Sequence, residues 1–187
     1  MKWRRLRWIG LLLLLVGAVA YWWREGQLER SQDGAIRAAA QQYGVESALV
    51  KAVVWRESKF DTRARGRAGE IGLMQLREEA AREWADAERV GGFEHEHCLD
   101  ARTNTLAGTW YLKKLLKRYR QADNPVPYAL ADYNAGRGNV LKWLSGAAAT
   151  NNALFIEQIG FPATKEYVQS VMRRYGRYRP IFEAVQK

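Results

Sequence analysis

"RESKFDTRARGRAGEIGLMQL" occupies residues 56–76. An apolar run ends on a lone carboxylate, Glu57, and a glycine-punctuated loop follows and closes on Gly72-Leu73-Met74-Gln75. Upstream, residues 46–58 carry helical period, with Val50, Val53 and Val54 on one stripe and Glu57 on the same stripe, since positions three, four and seven apart face one way. Burial disfavours a charged carboxylate, and so does the negative end of a helix dipole. Both raise its affinity for a proton, and a carboxylic acid that stays protonated near neutral pH is what a general acid requires. An isolated glutamate in this setting more often faces water or pairs with a nearby arginine, so the context has to decide.

Working outward, segments of helical period dominate. Residues 35–44 read as a helix with Gly44 as its stop, 76–87 as another, 104–121 as a long one with Gly108, Tyr111, Leu112, Leu115 and Tyr119 along one side. Residues 127–136 close on Gly136, 138–146 form a short helix, and 164–178 the last. Residues 90–103 read as a loop, and Asn104 as an N-cap. Strand signals are few. The expectation is a mostly α domain over 34–187.

The 187 residues carry a formal net charge of +10, and hydrophobic residues make up 48%, which excludes a disordered chain and favours an anionic partner. Residues 1–7 are basic, residues 8–23 carry no charge, and residues 24–33 are polar and read as a short tether. The uncharged segment has two readings: a signal anchor flanked by interfacial Trp8, Trp22 and Trp23, or a signal peptide cut near Ala18-Val19-Ala20. The bulky tryptophans past the cut site favour the anchor. In both readings the basic end stays cytoplasmic and the domain is exported, anchored at an inner membrane and facing the periplasm in the first.

Beyond the opening stretch come Asn104, Gly108, Tyr111 and Leu112, then Ala131-x-Tyr133-Asn134-Ala135-Gly136, then Thr164-x-x-Tyr167-Val168. With Glu57-Ser58-x-Phe60 and Gly72-Leu73-Met74-Gln75, this ordered set resembles the soluble lytic transglycosylase-like (SLT) family, whose domain is similar to goose-type lysozyme. The resemblance implies a lysozyme-like fold, no metal or organic cofactor, and peptidoglycan glycan strands as partner. It also implies a reaction. One glutamate, matched by Glu57, protonates the glycosidic oxygen between MurNAc and GlcNAc. It then serves as base for the muramyl C6 hydroxyl, which closes onto C1 as a 1,6-anhydro ring. Ser58, Met74 and Gln75 match the family's groove-lining positions, with core filling the other reading of Met74; Tyr133 and Asn134, with Tyr167 a second candidate, match the substrate-binding residues that position the sugar and the glutamate; Tyr111 and Leu112 read as core. Most glycosidases use two carboxylates; here Asp61 and Asp132 are near in sequence, but neither matches a catalytic position. Where the family usually has Ser, Ala and Met-Pro, this chain has Gly66, Glu70 and Arg77-Glu78, and Ala163 replaces a glutamate of the family's cleft.

Other readings stay open beside this one: a weakly active or inactive peptidoglycan-binding module, and a hydrolytic lysozyme. "EHEHC" (94–98) has zinc-compatible atoms but no second ligand cluster, and reads as a polar loop. "RRYGRYRP" (173–180) has the charge and rings of a single-strand nucleic-acid binder. An exported domain makes nucleic acid an unexpected partner, so a solvated helix face is the better reading.

Overall fold

A computed structural model describes residues 2–184. Among them are nine α-helices: α1 (Lys2–Ser31), α2 (Asp33–Tyr43), α3 (Ser47–Ser58), α4 (Glu78–Ala87), α5 (Ala101–Arg118), α6 (Pro125–Ala135), α7 (Arg137–Trp143), α8 (Asn152–Gln158) and α9 (Pro162–Glu183). Short 3₁₀ segments span His95–Leu99 and Gly146–Ala149. The only extended pairing among the described residues is a pair of isolated bridges, Arg65 with Ile71 and Ile71 with Leu76.

α3 is the central helix. Residues Ala48 to Val54 are all buried, because α9 packs along one side and α2 along another. Lys51 is buried with them; its Nζ lies 2.6 Å from Asp33 Oδ1 and 5.1 Å from the centre of the Tyr178 ring, so the cation keeps a partner. α5 packs against α2, α4 and α6, and α6 packs against α9. The core runs between these helices through Ile36, Val50, Val53, Leu73, Leu112, Leu130 and Val168.

α3 ends where the site begins. Lys59 and Phe60 both take positive φ, 54° and 67°. The chain turns sharply there, so Glu57 falls in the last turn of a buried helix. The loop 61–76 then folds back over α5. Gly72 sits at φ 76°, and a Cβ there would stand 2.2 Å from both Asn104 Nδ2 and Cys98 O, so glycine alone fits.

Four local expectations change. Residues 24–31, within the stretch read as a short tether, continue α1 as helix, and Glu29 ties that helix to the domain: its Oε1 accepts from Arg174 Nη1 at 3.0 Å and from Tyr178 Oη at 2.5 Å. The N-cap of α5 is Asp100, which accepts from Thr103 N, while Asn104 is buried one turn inside. α8 was not expected, and α9 runs past residue 178 through Pro180. The apolar face of α1 is exposed at Leu12–Val16, Val19, Trp22 and Trp23. No helix among the described residues is long and apolar enough to cross a membrane.

Candidate active site

A groove opens at the end of α3. Its cavity, about 470 Å³, is lined by Glu57, Glu70, Gln75, Arg77, Tyr133 and Asn134 among others. A second hollow of about 350 Å³ shares Gln75, Arg77, Tyr111 and Tyr133 and extends the groove along α4.

Glu57 is half-buried at its head. Tyr167, from α9, donates its hydroxyl to Glu57 Oε1 at 2.6 Å. Burial lifts the Glu57 carboxyl from an ordinary 4.5 to about 7; the Tyr167 bond and the Arg56 charge oppose that rise, and Glu70 adds to it. Arg56 is itself held away, its Nε donating to Ser170 Oγ at 3.0 Å with the guanidinium 5.4 Å from the Tyr167 ring centre. The result is a carboxyl that carries its proton near neutral pH and has a hydroxyl donor ready for its anion. That pair of properties suits a group that gives a proton and then takes one.

The opposite wall is built on the Gly72–Gln75 turn. Asn104 accepts from Met74 N at 2.7 Å and donates to Ile71 O and Cys98 O at 2.9 and 2.8 Å, which locks the turn onto α5. Tyr133 donates to Met74 O at 2.7 Å and meets the Tyr111 ring edge-on at 5.6 Å. Gln75 sits at φ 46°, and its Nε2 donates to Ala64 O and Gly72 O, so the amide holds its own loop while the side chain lines the groove. On the α6 side, Asn134 is exposed at the groove and accepts from Thr164 Oγ1 at 2.8 Å.

Glu57, Gln75, Tyr133 and Asn134 therefore meet in one cavity. Two expected groove-lining residues, Met74 and Ser58, sit elsewhere, and Tyr167 meets Glu57 from below the groove. Met74 is fully buried against Gly108, where a Cβ would stand 2.4 Å from its sulfur; only its backbone serves the site. Tyr167 is buried beneath Glu57 and orients it. Ser58 donates back to Val54 O at 3.2 Å and lines neither cavity. Conversely, Tyr111 lines the groove where core was expected, although Leu112 is core.

Sequence reasoning passed over Glu70 and Arg77 as site residues; their only signal was that both replace apolar residues. Of the other two carboxylates, Asp61 accepts from Arg63 N at an exposed turn. Asp132 is buried, its Oδ2 accepting from Arg118 Nη1 at 2.5 Å and Tyr119 Oη at 2.7 Å. In the 94–98 loop, Cys98 is buried and its thiol is pushed up to about 12 by burial, while His95 Nε2 bonds Leu76 O at 2.9 Å. Among the described residues no group of three or more His, Cys, Asp or Glu side chains is arranged to hold a metal ion. In the 173–180 segment, Arg174 pairs with Glu29, Arg179 with Glu46, and Tyr178 is buried.

Comparison with known proteins identifies the family. The family model described as "Transglycosylase SLT domain" matches residues 34–156. The chain is 31% identical over 137 residues to the soluble lytic murein transglycosylase of Escherichia coli K12, covering 72% of this chain and 21% of that protein. It is 30% identical over 152 residues to the membrane-bound lytic murein transglycosylase C of Shigella sonnei, covering 76% of this chain and 42% of that one. The chain thus spans about a fifth of the first of these relatives and about two fifths of the second. Among solved structures, an inactive mutant of the lytic transglycosylase Slt from Pseudomonas aeruginosa superposes with a TM-score of 0.72 at 27% identity, over 81% of this chain and 24% of that one. The complex of the 70-kDa soluble lytic transglycosylase with bulgecin A shares the fold, with a TM-score of 0.75 at 24% identity over 84% of this chain and 25% of that one. With its helical fold, its motifs and the span from 34 to 156 all in agreement, this chain belongs to the transglycosylase SLT domain family.

Proposed function

We propose that this protein is a peptidoglycan lytic transglycosylase. It cleaves the β-1,4 bond between MurNAc and GlcNAc without water. Glu57 gives its proton to the glycosidic oxygen as the bond to C1 breaks. The Glu57 carboxylate then takes the proton of the muramyl C6 hydroxyl as that oxygen bonds C1, which leaves a 1,6-anhydro end and restores the acid. The observation that carries this reading is Glu57 itself: a half-buried carboxyl held near pKa 7 at the head of a groove, with Tyr167 on Oε1. Charge develops on Glu57 between the two proton transfers, and the Tyr167 hydroxyl stabilises it there.

Gln75, Tyr133 and Asn134 are the proposed sugar-contacting residues, since they share the cavity with Glu57. Met74 and Tyr167 contribute by holding the wall and the acid, and Ser58 closes the end of α3. A hydrolytic reading has one observation in its favour: of the two further carboxylates that line the same cavity, Asp132 is held by Arg118 and Tyr119, but Glu70 makes no ion pair among the described residues. One of its oxygens already accepts from Ala68 N at 3.1 Å, which favours the one-carboxylate route.

For the N-terminal part, the proposal is a cytoplasmic basic end over 1–7 and a membrane anchor over 8–23, with the domain over 34–187 acting on the wall from the periplasm. The exposed apolar side chains from Leu12 to Trp23 support it, because that surface is costly to leave in water. Cleavage is tested by incubating the full chain and its Glu57→Gln variant, in detergent, with purified peptidoglycan sacculi. Release of soluble glycan by the wild type and its loss in the variant are expected; equal release by both would refute the assignment. Anchoring is tested by fractionation: retention in membranes after a high-salt wash is expected, and recovery in the soluble fraction would oppose it.

A further inference from the structure

The groove branches beside Glu57. A side cavity of about 380 Å³ is lined by Arg65, Gly66, Glu70, Arg77, His95 and Glu96 among others. Glu70 and Arg77 line both this cavity and the one that holds Glu57. The other charges at the branch are already used. Arg65 Nη2 lies 2.6 Å from Glu96 Oε2, and Arg82 Nη2 lies 2.7 Å from Glu78 Oε1. Arg77 reaches only Glu79, at 4.0 Å and in solvent, and Glu70 makes no ion pair among the described residues.

The loop is shaped to hold Glu70 there. Gly66 N donates to Glu70 O at 2.7 Å, and Ala68 N donates to Glu70 Oε2 at 3.1 Å. A Cβ at residue 66 would stand 2.2 Å from Glu70 Oε2 and 3.1 Å from Glu70 Cβ. A serine at 66 and this placement of Glu70 exclude one another, so the two departures from the family's usual residues form a matched pair. Arg77 and Glu78 line the same cavity.

We propose that Glu70 and Arg77 form a specificity subsite for a zwitterionic amino-acid group, an ammonium and a carboxylate together, carried on a peptide substituent of the glycan. The subsite rests on the glycan-cleaving reading above. Two opposite charges on one cavity rim, Arg77 held only by a long, solvent-exposed contact to Glu79 and Glu70 only by a backbone N–H, select against a lone cation through Arg77 and a lone anion through Glu70. A neutral sugar would strip water from both and return nothing. A zwitterion satisfies both with charge-assisted hydrogen bonds.

The test measures binding to the full chain carrying Glu57→Gln, so that nothing is consumed. Calorimetry compares glycan fragments of one length: bearing peptides with free amino and carboxylate groups, stripped of peptide, or bearing peptides with acetylated amines. The peptide-bearing fragment is expected to bind about tenfold tighter than the stripped one, a typical worth for two partly exposed charged contacts. Adding Glu70→Gln, Arg77→Gln or Gly66→Ser should each remove most of that ratio. Acetylation should mimic Glu70→Gln. A ratio untouched by all three variants, or by acetylation, would overturn the subsite. Failure of every fragment to bind the protein with Glu70 and Arg77 intact would count against the glycan-cleaving reading and the subsite together.

Discussion

Tyr167 and Glu57 lie 110 residues apart in the chain and 2.6 Å apart in the fold, hydroxyl to carboxylate. α9 carries one and α3 the other, and the packing of those two helices sets the distance. The contact opposes the burial that raises the Glu57 proton affinity, because a hydroxyl donor favours the ionised form. Removing it therefore has a definite sign. In Tyr167→Phe the Glu57 carboxyl should hold its proton to higher pH, and the alkaline limb of kcat/KM should move up from near pH 7. The rate should also fall, by roughly tenfold to a hundredfold, through loss of charge stabilisation at the base step. A pH–rate profile checks both; a limb that stays put would reduce Tyr167 to packing.

The same carboxyl makes the site a cost in stability. The folded protein keeps the Glu57 proton to about pH 7, while the free side chain releases it near 4.5. The stability linked to that proton is full below pH 4.5 and is lost as pH rises through 7. Glu57→Gln does not titrate. Its stability should match the wild type near pH 4 and exceed it above pH 7, by up to about 3 kcal/mol. Urea unfolding at the two pH values measures this, and a constant offset at both would contradict the origin assigned to the shift.

Asn104 is the third point of leverage. It satisfies one donor and two acceptors of buried backbone across the Gly72–Gln75 turn. Asn104→Ala strips Met74 N and Cys98 O of that partner, while Ile71 O keeps its bond from Leu76 N at 3.0 Å, and a loss of about 2–4 kcal/mol is expected. Gly72→Ala drives a Cβ into the same amide and should cost a similar amount. Thermal unfolding of the two variants checks the size, and a loss under about 1 kcal/mol in both would show that the turn is held by other contacts.

Much of this architecture is legible in the sequence, for physical reasons that also mark where it stops. The periods around Val50–Glu57 and 104–121 identify the helices because burial imposes them. The same logic places Glu57 in the last turn of a buried helix. Met74 does not face the groove, because a motif gives spacing but not the direction of a side chain: its sulfur lies against Gly108, while Tyr167 reaches the acid from beneath. Asn104 resembles a cap because it is a short polar residue near a helix start, yet Asp100 takes that role and frees Asn104 for the turn. Residues 24–31 resemble a tether because they are polar all round. They stay helical as a continuation of α1, with Glu29 held by Arg174 and Tyr178 from the far end of the chain. Glu70 and Arg77 are invisible to periodicity, since loop residues acquire a shared cavity only through the fold.

The central claim is that Glu57 alone breaks the glycan and that the sugar supplies its own nucleophile. The most direct measurement is mass spectrometry, without reduction, of muropeptides released from purified peptidoglycan by the full chain. Products ending in 1,6-anhydro-muramyl groups, one water lighter than reducing-end products and absent with Glu57→Gln, are the predicted result. Reducing ends would contradict it: water would then be the nucleophile, and Glu70, the other groove carboxylate not locked in an ion pair, would be the residue to test as its base.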